Sequence, residues 1–224
     1  MPTISPDLGA AAEHRAYLAS RFTPDPRREA VWRHVARYLS RWCDADSAVL
    51  DVGAGYCSFI NAVVARRRVA VDIHDRLERY AVLGVECVQA SATSMGAFED
   101  ASFDVVFASN LLEHLTREEI RAALAEFWRL LTPGGRLILV QPNYRLRPGE
   151  YFDDYTHLTP LSDRSVADLL DVAGFQALQI QPRFLPLTIR SRGGRLAFLV
   201  PVYLRLPWRP LAGQMLLVAR RPGD

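Results

Sequence analysis

The chain has 224 residues and a formal net charge of +2 at pH 7. Half of the residues are hydrophobic and 23% are charged, which excludes a disordered chain and allows a sizeable buried core. All cationic side chains are arginine and the only tight basic run is 66–68, so no nucleic-acid-binding stripe is indicated. The three cysteines form no CxxC or Cys/His cluster, and we therefore expect no metal site and no disulfide framework.

The N-terminal region lacks the apolar core of a signal peptide, and we expect a cytoplasmic protein. Asp25 is a plausible N-cap, with Pro26 at the first helical position. Apolar residues then recur at helical spacing, which predicts an amphipathic helix over about 27–43.

Short apolar runs alternate with helical segments through the middle of the chain. Thr116 and Glu119 fit a capping box at the start of a helix that extends to Leu131, and the Pro-Gly-Gly triplet 133–135 is expected to end it. Strands alternating with helices predict a parallel sheet covered on both faces. The strand-like runs are 48–52, 68–72, 85–89, 103–108 and 136–141.

The sequence after residue 142 is more polar and aromatic, up to a helix that Ser162 is expected to cap. Two further strands are predicted near 176–181 and 214–220. The simplest organisation is an N-terminal helical cap (1–46) and one domain (47–224). That domain carries an insertion at about 143–165 and a C-terminal segment at about 182–212.

Part of that C-terminal segment, residues 195–208, is apolar but interrupted by prolines. It is too short to span a bilayer. Ordinary packing, a lid, a homodimer surface and weak contact with a membrane surface remain open for it.

Two glycines and two aspartates mark a ligand-binding turn. Gly53 and Gly55 follow the first strand, where glycine permits positive φ and close approach of a ligand. Ser58 stands where a dinucleotide fingerprint needs its third glycine, which disfavours NAD. Asp51 before the turn would repel a pyrophosphate, and Asp72 at the end of the next strand can accept hydrogen bonds from both hydroxyls of a ribose. They suit a nucleoside that carries an amino acid and no phosphate.

These segments resemble the class I (Rossmann-like) S-adenosylmethionine-dependent methyltransferases over roughly residues 47–181. Within that class, the chain is similar to small-molecule and glycan-pathway enzymes. The resemblance implies an α/β fold with a seven-stranded, mostly parallel sheet, helices on both faces and an antiparallel last strand. The matching segments are VLDVGAGYC, VAVDIH, SFDVVFASNLLEHL, RLLTPGGRLILVQPN and LLDVAGF.

The resemblance also implies a site for S-adenosylmethionine. The methionine part would lie at the glycine turn, the ribose at Asp72, and the adenine between Ile73 and the residues around Ala92. Ser91 departs from the family, because an acidic residue often stands at that position. The expected cofactor-binding residues are Asp51, Gly53, Ala54, Gly55, Tyr56, Asp72, Ile73, Ser91, Ala92, Asn110 and Leu111.

The polar loop 151–160 offers groups for an acceptor. His157 is the best candidate for a general base, with Asp154 (or Asp153) as the carboxylate that orients it. Three tyrosines could flank the acceptor: Tyr144, Tyr151 and Tyr155. The alternative is that His157 only braces the following helix, while His114 serves packing or cofactor contact.

Three functions remain at this point. The first is methylation of a hydroxyl on a small-molecule, secondary-metabolite or sugar acceptor, with N- or C-methylation as variants. The second is a non-catalytic subunit that binds S-adenosylmethionine. The third, a nicotinamide oxidoreductase, is disfavoured by Ser58 and Asp51.

Overall fold

A seven-stranded sheet forms the centre of the computed structural model, which describes residues 26–186 and 198–223. The strand order is β3-β2-β1-β4-β5-β7-β6. The strands are β1 (Ala48–Val52), β2 (Arg67–Asp72), β3 (Val85–Gln89), β4 (Phe103–Ser109), β5 (Leu131–Pro142), β6 (Gln176–Gln181) and β7 (Gln214–Arg220).

Strand β7 is antiparallel to both of its neighbours, β5 and β6, whereas the pairs among β1 to β5 are parallel. The predicted fold class, a mostly parallel sheet with an antiparallel last strand, is therefore confirmed. The order of the strands reverses beside β1, between β2 and β4. Open α/β sheets bind ligands at such a point, at the carboxyl ends of the strands.

Six helices and two short 3-10 turns accompany the sheet in the described part of the chain. The helices are α1 (Pro26–Leu39), α2 (Ser58–Ala62), α3 (Arg117–Leu130), α4 (Pro148–Tyr151), α5 (Asp163–Val172) and α6 (Val200–Arg205). The 3-10 turns are Leu77–Arg79 and Leu112–His114.

Helices cover both faces of the sheet, as the buried runs predicted. Two hydrophobic core clusters lie on the two faces of the sheet. In strand β1, Leu50 belongs to one cluster and its neighbour Val49 to the other. The Leu50 cluster includes the apolar residues of α3 and α5, such as Phe127 and Leu170. The Val49 cluster includes those of α1, α2 and α6.

Two predicted boundaries were wrong. The first helix ends at Leu39 rather than near residue 43, and its predicted N-cap, Asp25, lies outside the described residues. Strand β5 begins at Leu131, so the Pro-Gly-Gly triplet lies within the strand instead of before it. Gly134 has φ +82° there and donates its amide to the Arg221 carbonyl, which gives an irregular pairing with the end of the chain.

Helix α6 lies in the C-terminal segment of the sequence analysis, and residues 187–197 of that segment are outside the described part. Phe198, Val202 and Trp208 expose 69%, 56% and 68% of their surface, so this region presents apolar side chains to solvent. Among the described residues, none of the helices has the length and apolar character that crossing a membrane requires.

The capping box of α3 provides a direct test of local stability. The Thr116 side chain accepts a hydrogen bond from the Glu119 amide, and the Glu119 carboxylate accepts one from the Thr116 amide. We expect Thr116→Ala to lower the free energy of unfolding by about 1 kcal/mol in urea denaturation. Thr116→Ser keeps the hydroxyl and should cost much less. Equal losses in the two variants would show that the cap is not the cause.

Candidate active site

The glycine turn joins β1 to α2 and is hydrogen-bonded to the neighbouring strand. The amides of Gly53 and Ala54 both donate to the Val71 carbonyl, at 2.8 and 3.0 Å. Gly53 and Gly55 have φ of +71° and +52°, the left-handed region that glycine adopts without strain. A Cβ on Gly55 would meet no atom within 4 Å. The backbone of this turn is therefore open to close approach from that side.

Asp72 lies against the same turn. Its Oδ2 accepts a hydrogen bond from the Gly55 amide at 2.9 Å, and its Oδ1 accepts one from the His74 amide at 3.2 Å. Asp51 pairs with Ala70 in the β1–β2 register, and side chains two residues apart share a face. Asp51 and Asp72 therefore lie on the same face of the sheet, as the acid–glycine–acid pattern requires.

Asp51 is a buried carboxyl just before the turn. Burial raises its pKa to about 8, and although a hydrogen bond from the Ile60 amide lowers the pKa, the charge of Asp72 raises it. A ligand ammonium group placed beside Asp51 would favour the carboxylate. The site is thus electrostatically suited to a cation at this end of the turn.

We did not expect a role for His74 from the sequence. The Arg76 amide donates to His74 Nδ1 at 3.1 Å, so the proton of the neutral ring is on Nε2, which donates to the Gly55 carbonyl at 3.1 Å. His74 is also buried. It thus braces the glycine turn, and its position two residues after Asp72 was the only available signal.

The expected adenine-side residues follow β2 and β3 at this same edge of the sheet. Ile73 is half-buried, and its carbonyl accepts a hydrogen bond from Gln89 Nε2 at 2.9 Å. Ala92 is buried, whereas Ser91 is exposed and its hydroxyl bonds to that of Thr93 at 2.8 Å. The Ser91 side chain is therefore held within its own turn.

Tyr56, the remaining expected residue of the turn, is half-buried. Its ring contacts that of Tyr80 edge-to-face at 4.6 Å between centroids. This contact attaches the turn to the segment that follows β2.

Asn110 and Leu111 follow β4 and are held by two buried glutamines. Gln214 Nε2 donates to Asn110 Oδ1 at 2.6 Å, and the Leu111 amide donates to Gln141 Oε1 at 3.2 Å. Leu111 Cδ1 lies 3.0 Å from where a Cβ on Gly53 would be, so the two segments are in contact. Sequence patterns did not reveal the glutamines, because each is distant along the chain from the residue it holds.

The acceptor-side loop folds onto the 3-10 turn after β4. The amides of Leu158 and Thr159 donate to the Glu113 carbonyl at 2.8 and 3.2 Å. The rings of His114 and His157 lie 5.0 Å apart. His157 is therefore held beside the segment that contacts the glycine turn.

Among the three tyrosines expected to flank an acceptor, Tyr151 has a structural role. It is fully buried, and its hydroxyl donates to the Thr159 carbonyl at 2.7 Å. Burial raises the pKa of the Tyr151 hydroxyl. By contrast, Tyr144 and Tyr155 expose 36% and 70% of their surface.

The carboxylate of Asp154 is linked to the other histidine through Thr156. The Thr156 amide and hydroxyl both donate to Asp154 Oδ1, at 3.2 and 2.7 Å. The same hydroxyl lies 2.9 Å from His114 Nδ1. Asp154 therefore helps to fix His114, and the turn hydrogen bond from the His157 amide to the Asp154 carbonyl, at 3.1 Å, places His157 next to it.

Glu113 is a buried acid that was not among the expected site residues. It is wholly inaccessible to solvent, and within the described residues neither of its carboxylate oxygens has a hydrogen-bond partner. Its pKa is raised to about 8, mainly by burial, and the nearby charge of Asp154 contributes in the same direction. The Glu-His-Leu segment contains it, but the sequence did not show which of these side chains faces inward.

Comparison with known proteins agrees with this geometry. A family model described as a methyltransferase domain matches residues 50–139, which include the glycine turn, Asp72 and the segment after β4. No curated protein matches the sequence.

Solved structures share the fold at low sequence identity. An S-adenosylmethionine-dependent methyltransferase from Archaeoglobus fulgidus is 18% identical with a TM-score of 0.65, covering 92% of this chain and 99% of its own. The Burkholderia thailandensis 1,6-didemethyltoxoflavin-N1-methyltransferase, with bound S-adenosylhomocysteine, is 21% identical with a TM-score of 0.58, and the match covers 98% of this chain and 93% of its own. The [4+2]-cyclase SpnF is 20% identical with a TM-score of 0.61, and the match covers 86% of this chain and 81% of its own.

At these identities the solved structures establish the fold alone, and the fold also occurs in a cyclase. The family model adds the assignment to methyltransferases over the part of the chain that forms the site. Residues 50–139 thus match the methyltransferase domain model, and the chain has the fold of the solved S-adenosylmethionine-dependent methyltransferases that it is similar to.

Proposed function

We propose that the protein transfers the methyl group of S-adenosylmethionine to a hydroxyl of a small-molecule, secondary-metabolite or sugar acceptor. The observation that carries this proposal is the position of the His157 loop. The loop is hydrogen-bonded to Glu113, and the segment before Glu113 touches the glycine turn through Leu111 and Gly53. This arrangement supports a polar acceptor side close to the expected cofactor.

In this proposal the cofactor binds across the carboxyl ends of β1, β2 and β4. Asp51 would pair with the ammonium group of the methionine part, which would lie against the open side of the turn at Gly55. Asp72 would accept hydrogen bonds from the ribose hydroxyls, since each of its oxygens has a second lone pair. Ile73 and Ala92 would pack on the adenine, with Ser91 at its edge.

The remaining expected residues would complete the pocket. Tyr56 would cover the outer side of the turn, and Asn110 and Leu111 would face the sulfonium. Glu29 of α1 accepts a hydrogen bond from the Ser58 hydroxyl at 2.7 Å, so α1 contacts the start of α2. The cap and the insertion at 143–165 would then enclose the cofactor and the acceptor from two sides.

The reaction would be an in-line displacement. The acceptor oxygen forms a bond to the methyl carbon as the carbon–sulfur bond breaks, and S-adenosylhomocysteine leaves. The hydroxyl proton would pass to His157 as general base, with Asp154 holding the loop. The protein's contribution is mostly orientation and a place for that proton.

Two alternatives have support of their own. One similar structure is a named N1-methyltransferase, so nitrogen is the first alternative acceptor atom. A domain that binds the cofactor without turnover is the second, because Glu113 and the two histidines could serve only to brace the loop.

The role of His157 can be tested with isotope-labelled S-adenosylmethionine and a panel of sugar, phenol and amine acceptors. We expect transfer to a hydroxyl, and a loss of about 100-fold or more in rate for His157→Ala, with cofactor affinity within twofold of wild type. His34→Ala, a histidine of α1, is the matched control. Transfer only to amines would exclude the O-methylation proposal, and cofactor binding without any transfer would favour the scaffold alternative.

Asp51 predicts a pH dependence of stability. Its folded-state pKa, about 8, is above its ordinary value, so the folded protein holds this proton more tightly than the unfolded chain does. Stability from this source is present below about pH 4 and is lost as the pH rises to about 8, by at most about 1.4 kcal/mol per pH unit.

Urea unfolding of the cofactor-free protein between pH 5 and 8 measures this effect. We expect Asp51→Asn to reduce the slope of the unfolding free energy against pH and to weaken binding of S-adenosylmethionine. Asp46→Asn, which changes an exposed acid, should alter neither quantity. An unchanged slope in Asp51→Asn would show that the carboxyl is not held protonated.

Gly53 tests the shape of the turn. A methyl group there would require a left-handed alanine and would meet Leu111 Cδ1 at 3.0 Å. We expect Gly53→Ala to cost about 1–2 kcal/mol of stability and to lower cofactor affinity in calorimetry. Gly96→Ala is the control, because a Cβ there meets no atom within 4 Å. Similar behaviour of the two variants would contradict the proposed close approach of the cofactor.

A further inference from the structure

Glu113 is a buried acid whose charge, if it is ionised, needs compensation. Its side chain is fully inaccessible, and among the described residues no donor reaches either carboxylate oxygen. An ionised carboxylate in such surroundings is costly unless a cation or several donors compensate it. The group must therefore hold a proton or face a cation.

The orientation of His114 argues for a cation. Its Nδ1 lies 3.2 Å from the Thr156 carbonyl, which can only accept, so Nδ1 carries a hydrogen. The Thr156 hydroxyl, 2.9 Å from Nδ1, donates its own hydrogen to Asp154 and therefore also accepts from His114. In the neutral ring the lone pair is then on Nε2.

That lone pair faces the Glu113 carboxylate. His114 Nε2 and Glu113 Oε1 are 3.9 Å apart, too far for a hydrogen bond between them. Two acceptor atoms at this separation can both bind one metal ion, because zinc–nitrogen and zinc–oxygen bonds are each about 2.0–2.2 Å long.

His157 completes the group. One ligand atom from each of Glu113, His114 and His157 lies within 4.8 Å of the other two. The hydrogen bond from the Leu158 amide to the Glu113 carbonyl, at 2.8 Å, holds the loop that supplies His157 against the turn that supplies the other two. The three donors thus come from two segments that are fixed to each other.

We propose that Glu113, His114 and His157 form a binding site for a divalent first-row transition-metal ion, with Zn²⁺ as the best match. Two imidazoles and one carboxylate are a donor set that Zn²⁺ uses in catalytic sites, with a further position left open. Mg²⁺ and Ca²⁺ prefer an all-oxygen set. The sequence analysis predicted no metal site, because these ligands are far apart in the chain and include no cysteine.

The surroundings of His114 match those of a metal ligand. Ligating histidines commonly donate the other ring N–H to a carbonyl or carboxylate, which fixes the tautomer. Here Thr156 accepts that hydrogen, and Asp154 in turn accepts from Thr156. An acceptor hydroxyl is the natural ligand for the open position. The assignment of an acceptor hydroxyl to this position rests on the proposed function. With the ion bound, His157 would be a metal ligand, and it would not accept the hydroxyl proton directly.

The test measures metal binding alone, without cofactor or acceptor, so its outcome is independent of methyl transfer. The full-length protein is stripped with a chelator and titrated with Co²⁺, followed by visible absorption, and with Zn²⁺ in competition with a chromophoric chelator. We expect one ion per chain, a Co²⁺ d–d band from a low-symmetry site, and no competition by millimolar Mg²⁺.

Variants identify the ligands. Glu113→Gln, close in shape, and His157→Ala should each weaken Zn²⁺ binding by about 100-fold or more. Thr156→Val should weaken it by about 10-fold through the orientation of His114. His34→Ala should bind as wild type does, and circular dichroism should show that every variant is folded. Absence of a Co²⁺ band, or equal Zn²⁺ affinity in Glu113→Gln and wild type, would overturn the proposal.

Discussion

The hydrogen bonds that fix the turn between β1 and α2 are the constraint on which the site depends. Three successive backbone amides donate hydrogen bonds to the end of β2. Those of Gly53 and Ala54 donate to the Val71 carbonyl, and that of Gly55 donates to the Asp72 carboxylate. Because all three are hydrogen-bonded to β2, the turn is held against that strand, and its side at Gly55 is open. His74 also holds this turn, through the hydrogen bond from its Nε2 to the Gly55 carbonyl.

The acceptor side is attached to this turn by packing and by main-chain hydrogen bonds. Leu111 contacts Gly53, and the 3-10 turn that follows it provides the Glu113 carbonyl to which the loop 158–159 is bonded. The loop is therefore connected to the glycine turn through this segment. The same short connection links the segment that carries the buried Glu113 and His114 to the glycine turn.

The sequence was sufficient to predict the sheet, because its buried runs and capping residues are local signals. The strand 48–52, the cap at Thr116 and the cap at Ser162 were all confirmed, as was the antiparallel last strand that the family resemblance implied. Spacing also sufficed to predict that Asp51 lies before the glycine turn and Asp72 at the end of the next strand.

The sequence could not predict contacts between distant segments. Gln141 and Gln214 hold residues 110 and 111 from other strands, and the orientation of Glu113 depends on how a short turn ends. The Pro-Gly-Gly triplet was expected to follow the helix directly and end it, but it lies within β5, where residues 134 and 135 are hydrogen-bonded to Arg221, far along the chain.

A crystal structure with S-adenosylhomocysteine bound would test the central claim most directly. We predict the ribose hydroxyls within hydrogen-bonding distance of Asp72, the amino group beside Asp51 and the sulfur facing the His157 loop. A ligand bound away from the glycine turn, or one whose ribose contacts neither oxygen of Asp72, would contradict the account.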